Sequence, residues 1–224
     1  MVEVLDRRAT ADGEVVLRRA GGGFEIIVDG VFAMASHLGG RSEQHQVDVT
    51  LDAVQDPGTV LIGGLGLGFA VNRAVAHTRL HHIVVAEVEP AIIDWHRSYL
   101  SELTADALRD PRVTVVEGDV AAIIGSAGAA LDVVATSFDA IILDVDNGPD
   151  WLIRPDNARL YEPPFVAACA TALTAGGALS VWGSQPSAGL RSDLGRRFVR
   201  VDEHLVAVPR GEPDWICVAS RPKP

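Results

Sequence analysis

The chain has 224 residues, 48% of them hydrophobic and 22% charged, which is enough for one substantial core and too little for two enzyme-sized domains. A net charge of −11 with no Lys/Arg-rich run excludes a surface built to collect nucleic acid or anionic membrane, and leaves a small molecule as the expected partner. Only Cys169 and Cys217 are present, residues 1–6 lack a basic and apolar leader pattern, and no apolar run reaches membrane-spanning length. The expectation is a cytoplasmic protein with two buried free thiols.

In chain order, residues 14–18, 24–28 and 31–34 read as short strands in hairpins, separated by the glycine run 21–23 and the Asp29-Gly30 turn. They form a small β appendage over residues 1–50, which also hold the start of the first helix. Val47, Leu51 and Val54 recur at helical spacing between 42 and 55, and Pro57-Gly58 ends that run. Residues 51–224 read as one α/β domain. Strands are expected at 60–62, 82–87, 113–116, 140–143 and 178–182. Helices are expected at 69–75, from Pro90 toward Leu100, at 120–124, and at 164–173 stopped by Gly176-Gly177. This alternation implies a parallel sheet with helices on both faces. Residues 198–201 and 215–219, with no helix between them, suggest a closing antiparallel pair.

The stretch around which the rest is organised is the first of these strands and its turn. Gly63, Gly64, Gly66 and Gly68 follow an apolar run and precede a helix, so backbone can approach a ligand closely and the helix start offers unpaired N–H groups. Glu87 ends the next strand about 20 residues on, placed to accept hydrogen bonds from both hydroxyls of a ribose. Gly118, Asp119 and Val120 follow the third strand; Asp119 is a candidate acceptor from an adenine amino group or a helix N-cap. After the fourth strand come Asp144, Asp146 and Asn147, with Trp151 and Tyr161 in and beyond the loop. In open sheets of this kind ligands bind beyond the carboxyl ends of the strands, where all these residues cluster.

With these residues in this order, the chain resembles the spermidine synthase family and, more loosely, the class I S-adenosylmethionine-dependent methyltransferases. The resemblance rests on Val60-Leu61-Ile62-Gly63-Gly64, Ala86-Glu87-Val88-Glu89-Pro90, Asp110-Pro111-Arg112-Val113, Glu117-Gly118-Asp119 and the segment from Phe138 to Asp144. It implies a Rossmann-like class I methyltransferase fold: a mostly parallel seven-stranded sheet, an antiparallel C-terminal strand pair and an N-terminal hairpin region. Implied with it are an adenosyl pocket including Val88, a substrate helix near His45, and a homodimer covering apolar residues such as Phe24 and Phe32. The substrate motifs depart from the family. Gln46-Val47-Asp48 stands where a Tyr-His-Glu triplet is expected, Ala33 where a glutamine is, and Asn147 where a second aspartate is. Leu65, Gly66 and Leu67 replace Gly-Asp-Gly.

These departures put methyl transfer from S-adenosylmethionine to a small-molecule acceptor first, with Asp144 receiving or orienting a proton of an amine. His45, Asp146, Asn147, Trp151 and Tyr161 are the expected acceptor wall, although a solvated surface loop is the plainer reading of residues 146–156. Aminopropyl transfer from decarboxylated S-adenosylmethionine is the alternative. A nicotinamide-dependent oxidoreductase ranks third and a non-catalytic nucleoside-binding module fourth. His77, His81 and His82 do not make a metal set, and no metal is expected.

Overall fold

The computed structural model describes residues 1–10, 13–104, 106–125, 137–209 and 211–224. An antiparallel sheet of β1 (Glu3–Thr10), β2 (Gly13–Ala20), β3 (Gly23–Val28) and β4 (Val31–Ala35) precedes α1 (Arg41–Asp52). The chain continues as β5 (Thr59–Gly63), α2 (Phe69–Val75), β6 (His82–Glu87), α3 (Pro90–His96), α4 (Ser101–Thr104), β7 (Val113–Glu117), α5 (Val120–Gly125) and β8 (Phe138–Leu143). It ends with α6 (Pro163–Ala172), β9 (Leu173–Gly183), α7 (Ala188–Arg197), β10 (Phe198–Val206) and β11 (Asp214–Pro222).

Side-chain alternation on the strands decides how these elements stack. On β5, Leu61 points to one face and Val60 and Ile62 to the other, and all three are fully buried. A strand apolar on both faces belongs in mid-sheet under two helical layers. Leu61, Val84, Ile141 and Leu179 join Ile123, Phe165, Cys169, Leu190 and Leu194 from α5, α6 and α7. Val60, Ile62, Ile83, Val85 and Ile142 join Val47, Leu51, Val71, Ile92 and Trp95 from α1, α2 and α3. The sheet order is β10-β11-β9-β8-β5-β6-β7; β5, β6, β7, β8 and β9 pair in parallel, while β11 runs antiparallel to both β9 and β10. The α/β class, the seven strands and the antiparallel closing pair all stand as expected.

The strand order reverses about β5, whose neighbours β6 and β8 lead the chain away in opposite directions. That reversal opens a crevice beyond the carboxyl ends of β5 and β8. The N-terminal sheet adds a wall: Val15, Leu17 and Ile26 are buried in the same cluster as α1, α2 and α3, so the appendage shares the core of the larger sheet.

Several details differ from the sequence reading. β1 carries no apolar alternation and is mostly exposed; it is held by pairing to β2 and by the Trp95 indole N–H donating to Asp6 at 2.9 Å. α7 was not foreseen. Gly176-Gly177 do not stop the preceding helix: α6 ends at Ala172, and Leu173 is already extended and paired with Phe138. Residues 174–177 then bulge out before Ala178 resumes pairing with Ala140, and a Cβ on Gly177 would come within 3.0 Å of the Asp139 and Thr174 carbonyls. Glycine there permits a close approach inside a bulged strand.

Gln46, at the position of the family's tyrosine, is fully buried and donates to the Leu143 carbonyl at 3.1 Å and the Ser180 hydroxyl at 3.2 Å. Asp48 accepts from Arg73 at 2.6 and 2.9 Å. These two residues fasten α1 to β8, β9 and α2. Cys169 and Cys217 are free and buried, and burial pushes both thiols up to about 12. No helix among the described residues is long and apolar enough to cross a membrane.

Candidate functional site

The crevice is a cavity of about 930 Å³ walled by the glycine turn, the ends of β6, β7 and β8, the first turn of α1, β3–β4 and the start of β11. Gly64 and Gly66 face it with φ of +99° and +48°, backbone that L side chains rarely adopt. The turn is braced from below. Its Gly64 N–H donates to the Ala86 carbonyl at 2.9 Å, and the Leu65 N–H donates to Glu87 Oε2 at 3.0 Å.

His96, 4% exposed, has Nε2 at 2.8 Å from the Gly66 carbonyl and Nδ1 at 2.7 Å from the Thr104 hydroxyl. A carbonyl can only accept, so Nε2 carries the proton, and burial holds the ring's pKa below the ordinary histidine value. This brace was not legible in the sequence.

Gly63 and Gly68, expected to touch a cofactor, do not line the cavity. A Cβ on Gly63 would meet Val120, Leu143 and Val145 side chains at 3.1–3.3 Å, and one on Gly68 would meet Thr104 Cγ2 at 2.1 Å. These two glycines serve internal packing. Glu87 lies where expected, 5% exposed, with Oε1 accepting the Glu89 N–H at 2.8 Å. Burial raises its pKa while three backbone N–H groups, from Glu89, Leu65 and Gly66, oppose the rise. Val88, 55% exposed, and Gly118, Asp119 and Val120 complete that wall. Asp119 takes the N-cap role, its Oδ1 accepting the Ala121 N–H at 2.9 Å, and its Oδ2 pairs with Arg159 at 2.9 Å.

A turn without side chains, a buried carboxylate and an apolar wall together fit an adenosyl group. Gly118 offers a direct probe of this fit. A Cβ there would meet nothing within 4 Å and the position needs no left-handed backbone, yet it faces the cavity. Gly118→Ala is therefore expected to shift the melting temperature by less than about 2 °C while weakening 5′-methylthioadenosine binding roughly tenfold in calorimetry. Unchanged binding would show that the nucleoside lies elsewhere.

The loop after β8 is no solvated loop at its start. Asp146 is 9% exposed and accepts from the N–H groups of Asn147, Ile153 and Arg154 and from Asn157 Nδ2, at 2.7–3.2 Å. It shapes the loop more than it meets a ligand. Asn147 is 8% exposed, lines the cavity, and its Nδ2 has no partner; Trp151, 54% exposed, sits at the rim.

Two expected acceptor residues are displaced. Tyr161 is buried among Phe165 and Val166 in the core, where desolvation raises its pKa, and does not line the cavity. His45 packs edge-on against His204, ring centroids 5.6 Å apart, because two helical residues from Glu43 point to nearly opposite sides of α1.

Glu43 and Asp214 are the residues the sequence reading missed. Glu43 comes from the first turn of α1 and Asp214 is the first residue of β11; both line the cavity beside Asp144. Glu43 lies in Ser42-Glu43-Gln44-His45, a stretch similar to the family's first helix, and no local motif marks Asp214. Asp144 is raised from 3.8 to about 8, first by desolvation, then by the charges of Glu43 and Asp214. Seven carboxylates, Glu43, Glu87, Glu89, Asp119, Asp144, Asp146 and Asp214, line the cavity against three guanidiniums, of which Arg154 and Arg159 are paired with Glu89 and Asp119. Such a surplus favours cationic ligands. Among the described residues no group of three His, Cys, Asp or Glu side chains is arranged to hold a metal ion.

The spermine/spermidine synthase domain family matches the chain over residues 34–190. A polyamine aminopropyltransferase of Mycobacterium tuberculosis (strain CDC 1551 / Oshkosh) is 32% identical over 185 residues, 82% of this chain and 33% of that protein. Putrescine N-methyltransferase 1 of Nicotiana tabacum is 31% identical over 162 residues, 70% of this chain and 40% of that protein. The chain thus spans between a third and two fifths of the length of these two relatives. Among solved structures, spermidine synthase from Thermotoga maritima superposes with a TM-score of 0.81 at 19% identity, covering 98% of this chain and 73% of that one. Human methyltransferase-like protein 13 in complex with SAH gives 0.58 at 18% identity, covering 83% and 82%. Both likenesses are of fold.

Proposed function

The chain belongs to the spermine/spermidine synthase family, and from that premise we propose that it transfers an aminopropyl group from decarboxylated S-adenosylmethionine to the amine of a small acceptor. The observation that carries this reading is the meeting of Glu43, Asp144 and Asp214 at one end of the cavity. Like charges gathered beside a nucleoside cradle favour a donor and an acceptor that both bring positive charge, and disfavour a donor with its own carboxylate.

Gly64, Gly66, Glu87, Val88, Gly118, Asp119 and Val120 would hold the adenosyl part. The bound sulfonium supplies an electrophilic carbon and a neutral thioether leaving group. What this chain contributes is alignment and a proton acceptor: Asp144 takes a proton from the acceptor's ammonium, and the lone pair so freed forms the N–C bond as the C–S pair goes to sulfur. A carboxyl raised to about 8 is matched to that proton near neutral pH.

One observation favours methyl transfer from S-adenosylmethionine as a second reading. Arg41 lines the cavity and, among the described residues, is in none of the ion pairs, so it is free to meet a donor carboxylate. Parallel calorimetric titration separates the two. Decarboxylated S-adenosylmethionine and 5′-methylthioadenosine are expected to bind at least about tenfold more tightly than S-adenosylmethionine and S-adenosylhomocysteine, a difference of about 1.4 kcal/mol. The reverse order would transfer the proposal to methylation, and binding of none would remove both.

A further inference from the structure

Two hydrogen-bond donors in the cavity wall have nothing to donate to. Among the described residues neither Asn147 Nδ2 nor Trp182 Nε1 has a partner, and both atoms are buried although both residues line the cavity. Asn147 is 8% exposed, so its amide is not turned to solvent. Buried donors left unpaired are rare in folded chains, and two of them in one wall mark a place for a group that accepts.

The fold sets the two segments against each other. Asn147 lies in the loop after β8 and Trp182 near the end of β9, and the Ser184 N–H and hydroxyl both donate to the Asn147 carbonyl, at 2.9 and 3.0 Å. Gly148 and Gly183 permit this approach: a Cβ on Gly148 would lie 3.0 Å from Gly183 Cα, and Gly148 has φ of +101°. The loop is thereby fixed against β9 one residue away from each donor.

The chemistry of the complementary group follows from what the donors can do. An indole N–H and an amide NH2 donate and do not accept, so an ammonium gives them nothing. A free amine has one lone pair, and the transfer step uses it. A carboxylate would accept, but Glu43, Asp144 and Asp214 line the same cavity and repel it. A neutral oxygen, hydroxyl or carbonyl, has two lone pairs and no charge, and satisfies both donors.

Resting on the amine-transfer reading above, we propose that Asn147 and Trp182 bind a neutral oxygen of the acceptor, whose class is therefore an amine carrying a hydroxyl or carbonyl group. Their role is specificity, while Asp144 keeps the role of proton acceptor. A site built to hydrogen-bond an oxygen rejects the analogue with a methyl group in its place, because the donors are then left buried and unpaired.

The test uses the full chain with 5′-methylthioadenosine filling the donor part of the cavity, titrated calorimetrically with matched pairs of amines. Ethanolamine, propanolamine and butanolamine are each set against the alkylamine with methyl in place of hydroxyl, and hydroxyputrescine against putrescine. Glycinamide against isobutylamine supplies the carbonyl arm. At least one oxygen-bearing amine is expected to bind at least about tenfold more tightly than its oxygen-free match. Trp182→Phe and Asn147→Leu keep approximate shape and remove one donor each. Each should reduce that preference at least about threefold, and the double variant should abolish it. The oxygen-free amines and 5′-methylthioadenosine should bind as to the parent, and each melting temperature should shift by less than about 2 °C. A residue that only packs would cost stability and treat both members of a pair alike.

Equal binding within every pair, or a preference that survives in both variants, would overturn the oxygen contact and leave the amine-transfer reading standing. S-adenosylmethionine held more tightly than its decarboxylated form by the parent but not by the variants would assign the two donors to the carboxylate of the nucleoside, and overturn the proposal. A parent chain that binds 5′-methylthioadenosine but no amine of any kind would overturn the transfer reading, and the oxygen contact with it.

Discussion

Asp144→Asn is expected to melt higher than the parent chain at about pH 8 while losing at least 100-fold in transfer rate. The stability part follows from the sign of the shift. The Asp144 carboxyl titrates at 3.8 when solvated and at about 8 in the fold, raised by desolvation and by Glu43 and Asp214. A folded-state pKa above the unfolded one means the acid favours folding fully only while protonated, below about pH 4. That contribution is lost as pH rises through 8. Asparagine cannot ionise, so its advantage is absent near pH 4, grows through neutrality and levels off above 8. About 2 kcal/mol, roughly 4–8 °C for a chain of this size, is the expected gain at pH 8. Melting curves of both chains between pH 4 and 9 check it. An asparagine variant less stable at pH 8 would show that Asp144 is stabilised by partners and is not held at a cost. A saturating diamine should narrow the gap by stabilising the parent selectively, since ligand binding to the folded state adds directly to its stability.

Gly64→Ala carries the second large effect. A Cβ at this position would lie 2.1 Å from the Asp144 carbonyl oxygen, and the backbone there has φ of +99°. Neither can relax alone. The Asp144 N–H is tied to the Gly63 carbonyl at 2.9 Å and the Gly64 N–H to Ala86 at 2.9 Å, so the clash is between two strand ends of the same sheet. Left-handed strain and a backbone collision together are expected to cost about 3 kcal/mol or more, close to 10 °C in melting temperature, and to abolish nucleoside binding. Thermal unfolding and calorimetry on the same sample decide it. A folded variant that still binds would show that the turn can be re-formed without its glycine, whereas Gly118→Ala, where a Cβ meets nothing, separates loss of fold from loss of ligand.

The proposal of aminopropyl transfer reverses the order reached from the sequence, and the reason lies in three particular residues. Along the sequence, Ala33, Gln46 and Asn147 stand as departures from the family's amine-site motifs. In the fold Gln46 is a buried tie between α1 and the sheet, Ala33 is one of the β4 residues walling the cavity, and Asn147 faces it beside acids that come from elsewhere. Acidic character is present but not where a linear motif would place it. His45 and Tyr161 lie off the cavity for a related reason: proximity to a motif in sequence does not fix the direction of a side chain. Helical rotation turned one toward His204, and burial took the other into the core.

What the sequence determined by itself was everything encoded by local periodicity and chain order. Alternating apolar strands, glycine at the first strand's end and acids at the ends of the second and fourth specified a doubly covered sheet with a glycine turn and carboxylates at its reversal point. Those signals are local, since strand pleat, left-handed turns and strand-end position are each set by a few neighbouring residues. Only the tertiary structure decided the acceptor end. Glu43, Asp144 and Asp214 become one electrostatic unit because α1 packs beneath β8 and β11 returns antiparallel beside β9, and no spacing along the chain records that convergence. The same holds for His96 under Gly66. Charges interact through space, and the fold sets which of them share a cavity.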